Sequence, residues 1–172
     1  MKFSPEEFEQ ILSIFQEETT EIINRFTNRL MSLEKNPDDQ KCVSNLFQDA
    51  HSIKGAARLV GFTNIQNIVH KIEDVLTLLK EKKVALTPEI IERIYKASNL
   101  LLYLVENSIK FKDDFYCDSI ISTINLLDEI IESKNLQSVQ NIDEESEIKM
   151  DINFEENIIF YYAFFLDLFT LF

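Results

Sequence analysis

Only two of the 172 residues are glycine and three are proline. A β-protein needs glycine, proline and other turn residues at its many corners, so a chain this poor in them is confined to helices joined by short links. The prolines fit that picture. Pro5, Pro37 and Pro88 each stand at the head of a helical pattern, where the missing N–H is not needed and the fixed φ suits the first turn. Apolar residues make up 45% of the chain, enough for a substantial core.

Five apolar stripes at steps of three and four follow one another. Ser4, Pro5 and Glu7 read as N-cap, first helical residue and capping-box acid, with Phe3 and Phe8 as a hydrophobic staple. The first stripe is Phe8, Ile11/Leu12, Phe15, Ile22, Phe26, Leu30 and Leu33, with Thr19 in between. It ends near Pro37. Asn36 as cap, Pro37, then Asp38 and Asp39 at the positive end of the dipole predict a second helix. Its stripe is Val43, Leu46, Ala50, Ile53, Ala57 and Val60, with Gly61 as a C-terminal stop. Thr63 and Gln66 have the spacing of a capping box for a third helix, lined by Ile65, Ile68/Val69, Ile72, Val75/Leu76 and Leu79. It closes in the basic run from Lys80 to Lys83, which suits a helix C-terminus. Thr87, Pro88 and Glu89 open a fourth, stapled by Leu86 and Ile91. It continues through Ile94, Ala97, Leu101 and Leu104/Val105 to about Ile109. A fifth covers roughly Phe115 to Ser133 through Ile120/Ile121, Ile124, Leu127 and Ile130/Ile131. The expected architecture is all-α, an up-and-down four-helix bundle with a fifth helix packed beside it, over residues 1–136.

Residues 137–156 change character. Asp143, Glu144, Glu145, Glu147, Asp151, Glu155 and Glu156 face a single Lys149, which reads as an acidic linker. Residues 157–172 form an apolar tail broken only by Asp167 and Thr170 from Ile158 onward. As a helix of about 15 residues it would measure roughly 22 Å, short of the roughly 30 Å hydrocarbon core, so no membrane span is expected. The tail stays open between an anchor, a segment docked on the bundle and an out-of-frame read-through of an AT-rich gene. Composition favours the last. The N-terminus has no apolar signal region, so the cytoplasm is the expected compartment. A net charge of −13 makes nucleic acid a poor partner, since a binder needs a basic face to displace counterions. Cys42 and Cys117 have neither C-x-x-C nor zinc spacing and read as small buried hydrophobes.

Both glycines and one of the two histidines fall in the stretch from Ala50 to Phe62. On the second helix, His51, Lys54 and Arg58 each follow a core residue by one position and, with Gly55, form their own stripe about 100° around the helix. That places His51 at the edge of the core, open to water, with Lys54 one turn away. Gly55 beside it leaves room for another molecule to approach, a use that offsets the roughly 1 kcal/mol a mid-helix glycine costs relative to alanine. On the antiparallel third helix, His70 and Glu73 lie on one face within reach of His51 and Lys54. A carboxylate such as Glu73 accepting from Nδ1–H would leave Nε2 as nucleophile and steady the ring as it becomes charged. Lys54 would neutralise phosphate oxygens. Two imidazoles and Glu73 across two helices also admit a metal-binding bundle, although such sites call for several glutamates. A helical interaction module with His51 idle is a further reading.

The run His51-Ser52-Ile53-Lys54-Gly55 with Gly61-Phe62, preceded by Leu33-Glu34-Lys35-Asn36-Pro37 and Leu46-Phe47 and followed by Val69-His70-Lys71-Ile72-Glu73-Asp74, resembles the histidine-phosphotransfer (Hpt) family. It is most like the N-terminal phosphotransfer domain of CheA-type chemotaxis histidine kinases, over about residues 5–133. The resemblance implies that His51 is the phosphoacceptor, that Lys54, His70 and Glu73 support it, and that Gly55 is the small position beside it. It implies phosphorylation in trans by a CheA-type kinase catalytic domain using ATP and Mg²⁺. The phosphoryl group would then pass to an aspartate of a CheY-like response-regulator receiver. With no glycine after Gly61 the chain cannot build the glycine-rich nucleotide lid of such a kinase. It is therefore expected to be a carrier that binds no cofactor or metal and does not phosphorylate itself.

Overall fold

A computed structural model describes the backbone of residues 4–146 and the side chains of residues 4–133. The Phe3 half of the predicted staple, the end of the predicted linker and the apolar tail lie outside the described residues. All described elements are helices: α1 (Pro5–Lys35), α2 (Gln40–Val60), α3 (Thr63–Lys80), α4 (Pro88–Phe111) and α5 (Ser119–Ser146). The chain divides into two compact units, Met1–Leu136 and Gln137–Phe172, and the bundle belongs to the first. No described helix is long and apolar enough to cross a membrane.

Short links at 36–39, 61–62 and 81–87 turn successive helices back on one another. The result is a ring in which α1 packs on α2 and α4, and α3 packs on the same two. The predicted stripes form the core. Leu46, Ala50, Ile53 and Ala57 of α2 meet Ile65, Ile68, Ile72 and Leu76 of α3 in one buried cluster. Each leucine or isoleucine among them contributes about 1.5–3 kcal/mol by leaving water. The α1 stripe passes through Ile23 rather than Ile22, because Thr19 is itself fully buried and the next turn on that face is four residues on. The fifth helix joins the ring through Ile120, Leu127 and Ile130. Arg93 of α4 reaches the Leu126 carbonyl and Glu129, and Lys71 of α3 reaches Asp128.

Two helix starts follow the predicted chemistry and two do not. Ser4 and Glu7 form a complete capping box, and Thr87 accepts from the Ile90 N–H. Asn36, however, closes α1, and α2 begins after Asp39, whose carboxylate accepts from the Cys42 N–H at 2.9 Å. Pro37 lies in the turn, where the reversal between the two helices needs its residues. Thr63 is the first residue of α3 rather than its cap, and Phe62 in the cap position offers no side-chain acceptor. A distant residue supplies the cap. The Asp114 carboxylate, from the α4–α5 link, accepts from the Asn64 N–H at 3.0 and 3.2 Å, next to the positive end of the α3 dipole. Asn64 in turn donates to the carbonyls of Asp114 and Phe115. That pins residues 112–118 as a link, so α5 starts at Ser119 instead of Phe115. It runs on to Ser146, past the predicted end at Ser133 and into the predicted linker, with no glycine or proline to interrupt it.

Gly61 ends α2 with φ +82. The Phe62 N–H donates to the Ala57 carbonyl at 3.0 Å, closing a Schellman-type turn. Phe62 is thereby set edge-on against Phe15, with ring centroids 5.4 Å apart. Cys42 is buried, its Sγ bonded to the Arg29 carbonyl, and burial pushes its thiol pKa up. Cys117 is only half-buried, because the link that carries it lies at the surface.

Candidate functional site

Helix α2 carries a charged group on each of its flanks. On the flank toward α3, His51 lies one position past the core residue Ala50, and its side chain is 69% exposed. Glu73 lies one position past Ile72 on α3, and its side chain is 5% exposed. A carboxylate so deeply buried requires partners for both oxygens, and both have them. His51 Nδ1 is 3.0 Å from Oε1, and the Lys54 ammonium donates to Oε2. An ionised carboxylate can only accept, so the proton between ring and carboxylate sits on Nδ1. The lone pair is left on Nε2, on the exposed side of the ring. The pairing orients the imidazole, selects its tautomer and sets a negative charge where a positive one would develop if Nε2 formed a bond.

Lys54 differs from its sequence reading. It is one turn from His51 on the same face, but its charge is committed to Glu73. His70 differs more. It is 61% exposed and faces Asp74 at 3.9 Å, with no bond to His51, Lys54 or Glu73 among the described residues. The antiparallel register that sets Glu73 beside His51 carries His70 a turn farther toward the start of α3. Accordingly the two imidazoles and Glu73 do not converge. Among the described residues no group of three or more His, Cys, Asp or Glu side chains is arranged to hold a metal ion.

A Cβ at Gly55 would meet nothing within 4 Å. The fold itself does not require a glycine there, so the open space beside the imidazole is available to an approaching molecule. Phe47 and Lys80 are neighbours that the site reading missed. Phe47, one turn before His51, stacks on the imidazole with centroids 6.3 Å and planes 16° apart. Lys80, the last residue of α3, holds its ammonium 5.5 Å from the Phe47 ring centroid. The i, i+4 spacing of Phe47 and His51 signals the first contact. Nothing local signals the second.

On the flank toward α1, Asp49 is also 5% exposed. Arg25 donates to Oδ1 through Nε and Nη2 at 3.2 and 2.9 Å, and Arg29 donates to Oδ2 and to the Asn45 carbonyl. This arrangement ties α1 to α2 and exposes no lone pair.

Residues 10–110 match the Hpt domain family. The chemotaxis protein CheA of Listeria monocytogenes is 29% identical over 97 residues, which are 56% of this chain and 16% of that protein. The chain thus spans a small part of the length of this relative. The CheA phosphotransferase domain from Thermotoga maritima superposes with a TM-score of 0.57 at 25% identity, covering 59% of this chain and 96% of that one. The phosphorylated P1 domain of CheA3, in complex with CheY6 from R. sphaeroides, gives a TM-score of 0.67 at 22% identity. It covers 72% of this chain and 98% of that one.

Proposed function

Since the chain belongs to the Hpt domain family, we propose that it carries a phosphoryl group on His51 Nε2 in a chemotaxis-type relay, between a CheA-type kinase domain and a receiver aspartate. The observation that carries this reading is the His51–Glu73 pair, which holds Nδ1–H on a buried carboxylate and leaves Nε2 free and exposed.

In the first step the Nε2 lone pair attacks the γ-phosphorus of ATP held with Mg²⁺ by the kinase. The bond to the bridging oxygen breaks and ADP leaves. The ring becomes an imidazolium, with Nδ1–H still on Glu73. In the second step a receiver carboxylate oxygen attacks phosphorus and the N–P bond breaks, returning the neutral ring and its tautomer. Glu73 stabilises the charged ring in both directions, so the carrier loads and unloads without rearranging. Gly55 gives the kinase and the receiver access to the same nitrogen. A cytoplasmic setting accompanies this reading because ATP is the phosphoryl source. The family also supports the pairing of partners, since the related P1 domain was captured with a CheY protein.

The test is phosphotransfer in trans. The full chain is mixed with a CheA-type kinase core, labelled ATP and Mg²⁺, beside a His51→Gln control. Acid-labile, base-stable label on the wild type alone is the expected result. His51→Gln should stay folded, with a stability change of about 1 kcal/mol or less, because one exposed side chain is exchanged. Absence of label, from a kinase that labels its own cognate domain, would leave a helical interaction module and overturn the carrier reading for that pair.

A further inference from the structure

The His51 site is electrically balanced before phosphorylation and unbalanced after it. The neutral imidazole, the Glu73 carboxylate and the Lys54 ammonium sum to no charge. A phosphoryl dianion on a protonated ring adds net negative charge, in a chain already at −13. Lys54 already donates to Glu73, so its single charge would be shared between that carboxylate and the phosphoryl group. A second cation stands in the same groove. Glu73 and Lys80 are two turns apart on one face of α3, as Phe47 and His51 are one turn apart on one face of α2. The antiparallel pairing that sets Glu73 on His51 therefore sets Lys80 on Phe47, 5.5 Å from the centroid of the ring that stacks on the imidazole. The exposed Lys80 ammonium rests against this π face. Such a contact at an exposed position is weaker than a charge-assisted bond to a phosphate oxygen, and the four-carbon stem lets the ammonium move.

Building on the carrier reading, we propose that Lys80 is a ligand of the phosphoryl group, held within reach by Phe47 until Nε2 is phosphorylated and then donating to the phosphoryl oxygens. It makes and breaks no covalent bond. It lowers the free energy of the loaded site relative to the empty one.

The test loads the full chain without a kinase, using potassium phosphoramidate, whose P–N bond breaks to release ammonia as the Nε2–P bond forms. Phosphorus NMR then follows the second ionisation of the phosphoryl group with pH, and His51→Gln identifies its resonance. The other charged groups around the site, Lys54 and Arg58 of α2 and His70, Glu73 and Asp74 of α3, are the same in every variant. A donor on the oxygens favours the dianion, so Lys80→Met should raise the ionisation midpoint. It should also lower the phosphorylated fraction about twofold to fivefold, and Lys80→Arg should restore both. Equal midpoints and fractions in wild type and Lys80→Met overturn the proposal and leave the carrier reading standing. A chain labelled by phosphoramidate but by no kinase overturns the carrier reading while the Lys80 contact is still read from the midpoint. No label at His51 from either donor overturns both.

Discussion

The two flanks of α2 use one device to different ends. Each buries a carboxylate to the same extent, and each gives both of its oxygens to side-chain nitrogens. Toward α1 the donors are two guanidinium groups, which never lose their protons and have no lone pair to offer. The outcome there is a fixed tie between helices. Toward α3 one donor is an imidazole, which gives one nitrogen to the carboxylate and keeps the other for chemistry. A buried carboxylate thus makes either a fastening or an oriented nucleophile, depending on what its partner has left after the bond is made.

The comparison breaks most visibly at Asp49. Asp49→Ala leaves two arginines without their acceptor and should cost about 2–4 kcal/mol in denaturant unfolding, at the lower end because both guanidinium groups are partly exposed. Phosphate uptake by the folded fraction should be unchanged. A stability loss below 0.5 kcal/mol would mean that Asp49 is not a fastening at all (about the scatter of neutral surface changes). On the other flank, Glu73→Gln should do the reverse. It keeps the volume but removes the charge that steadies the ring, so uptake should fall about 10- to 100-fold for a smaller stability change. Uptake at the wild-type rate would show that the imidazole needs no carboxylate.

Gly55→Ala sharpens the contrast between fold and access. The added methyl meets open space, so the free protein should gain about 0.5–1 kcal/mol, while transfer to a receiver slows. A gain in stability with unaltered transfer would remove access as the reason for the glycine. The smallest effect belongs to a half-buried pair on neither flank, Lys71 with Asp128. The hydrogen bond to Asp128 holds the Lys71 pKa above the usual lysine value. Its contribution is therefore fully present below that usual value and is lost as pH rises through the raised one. Lys71→Met should cost less than about 1 kcal/mol at neutral pH, and the difference from wild type should vanish in strongly alkaline solution. A difference that persists there would assign the effect to packing of the stem.

What was legible in the sequence is what short-range physics encodes. The burial stripes of α2 and α3 are the observed ones, because 3.6-residue periodicity and the removal of apolar surface from water act within a turn or two. The same holds for the Ser4–Glu7 capping box, the Thr87 cap and the Gly61 stop, each built from residues three or four apart. His51 with Glu73 was also within reach, since each lies one position beyond a core residue on helices joined by two residues. Tertiary structure decided which polar partner each group took. Asp114 rather than Thr63 caps α3, across fifty residues of chain. Asp49 is claimed by arginines on α1, His70 turns to Asp74 instead of His51, and Lys80 comes to rest on Phe47. Those choices depend on the register between helices, which the interlocking of the whole core sets and which no local pattern specifies.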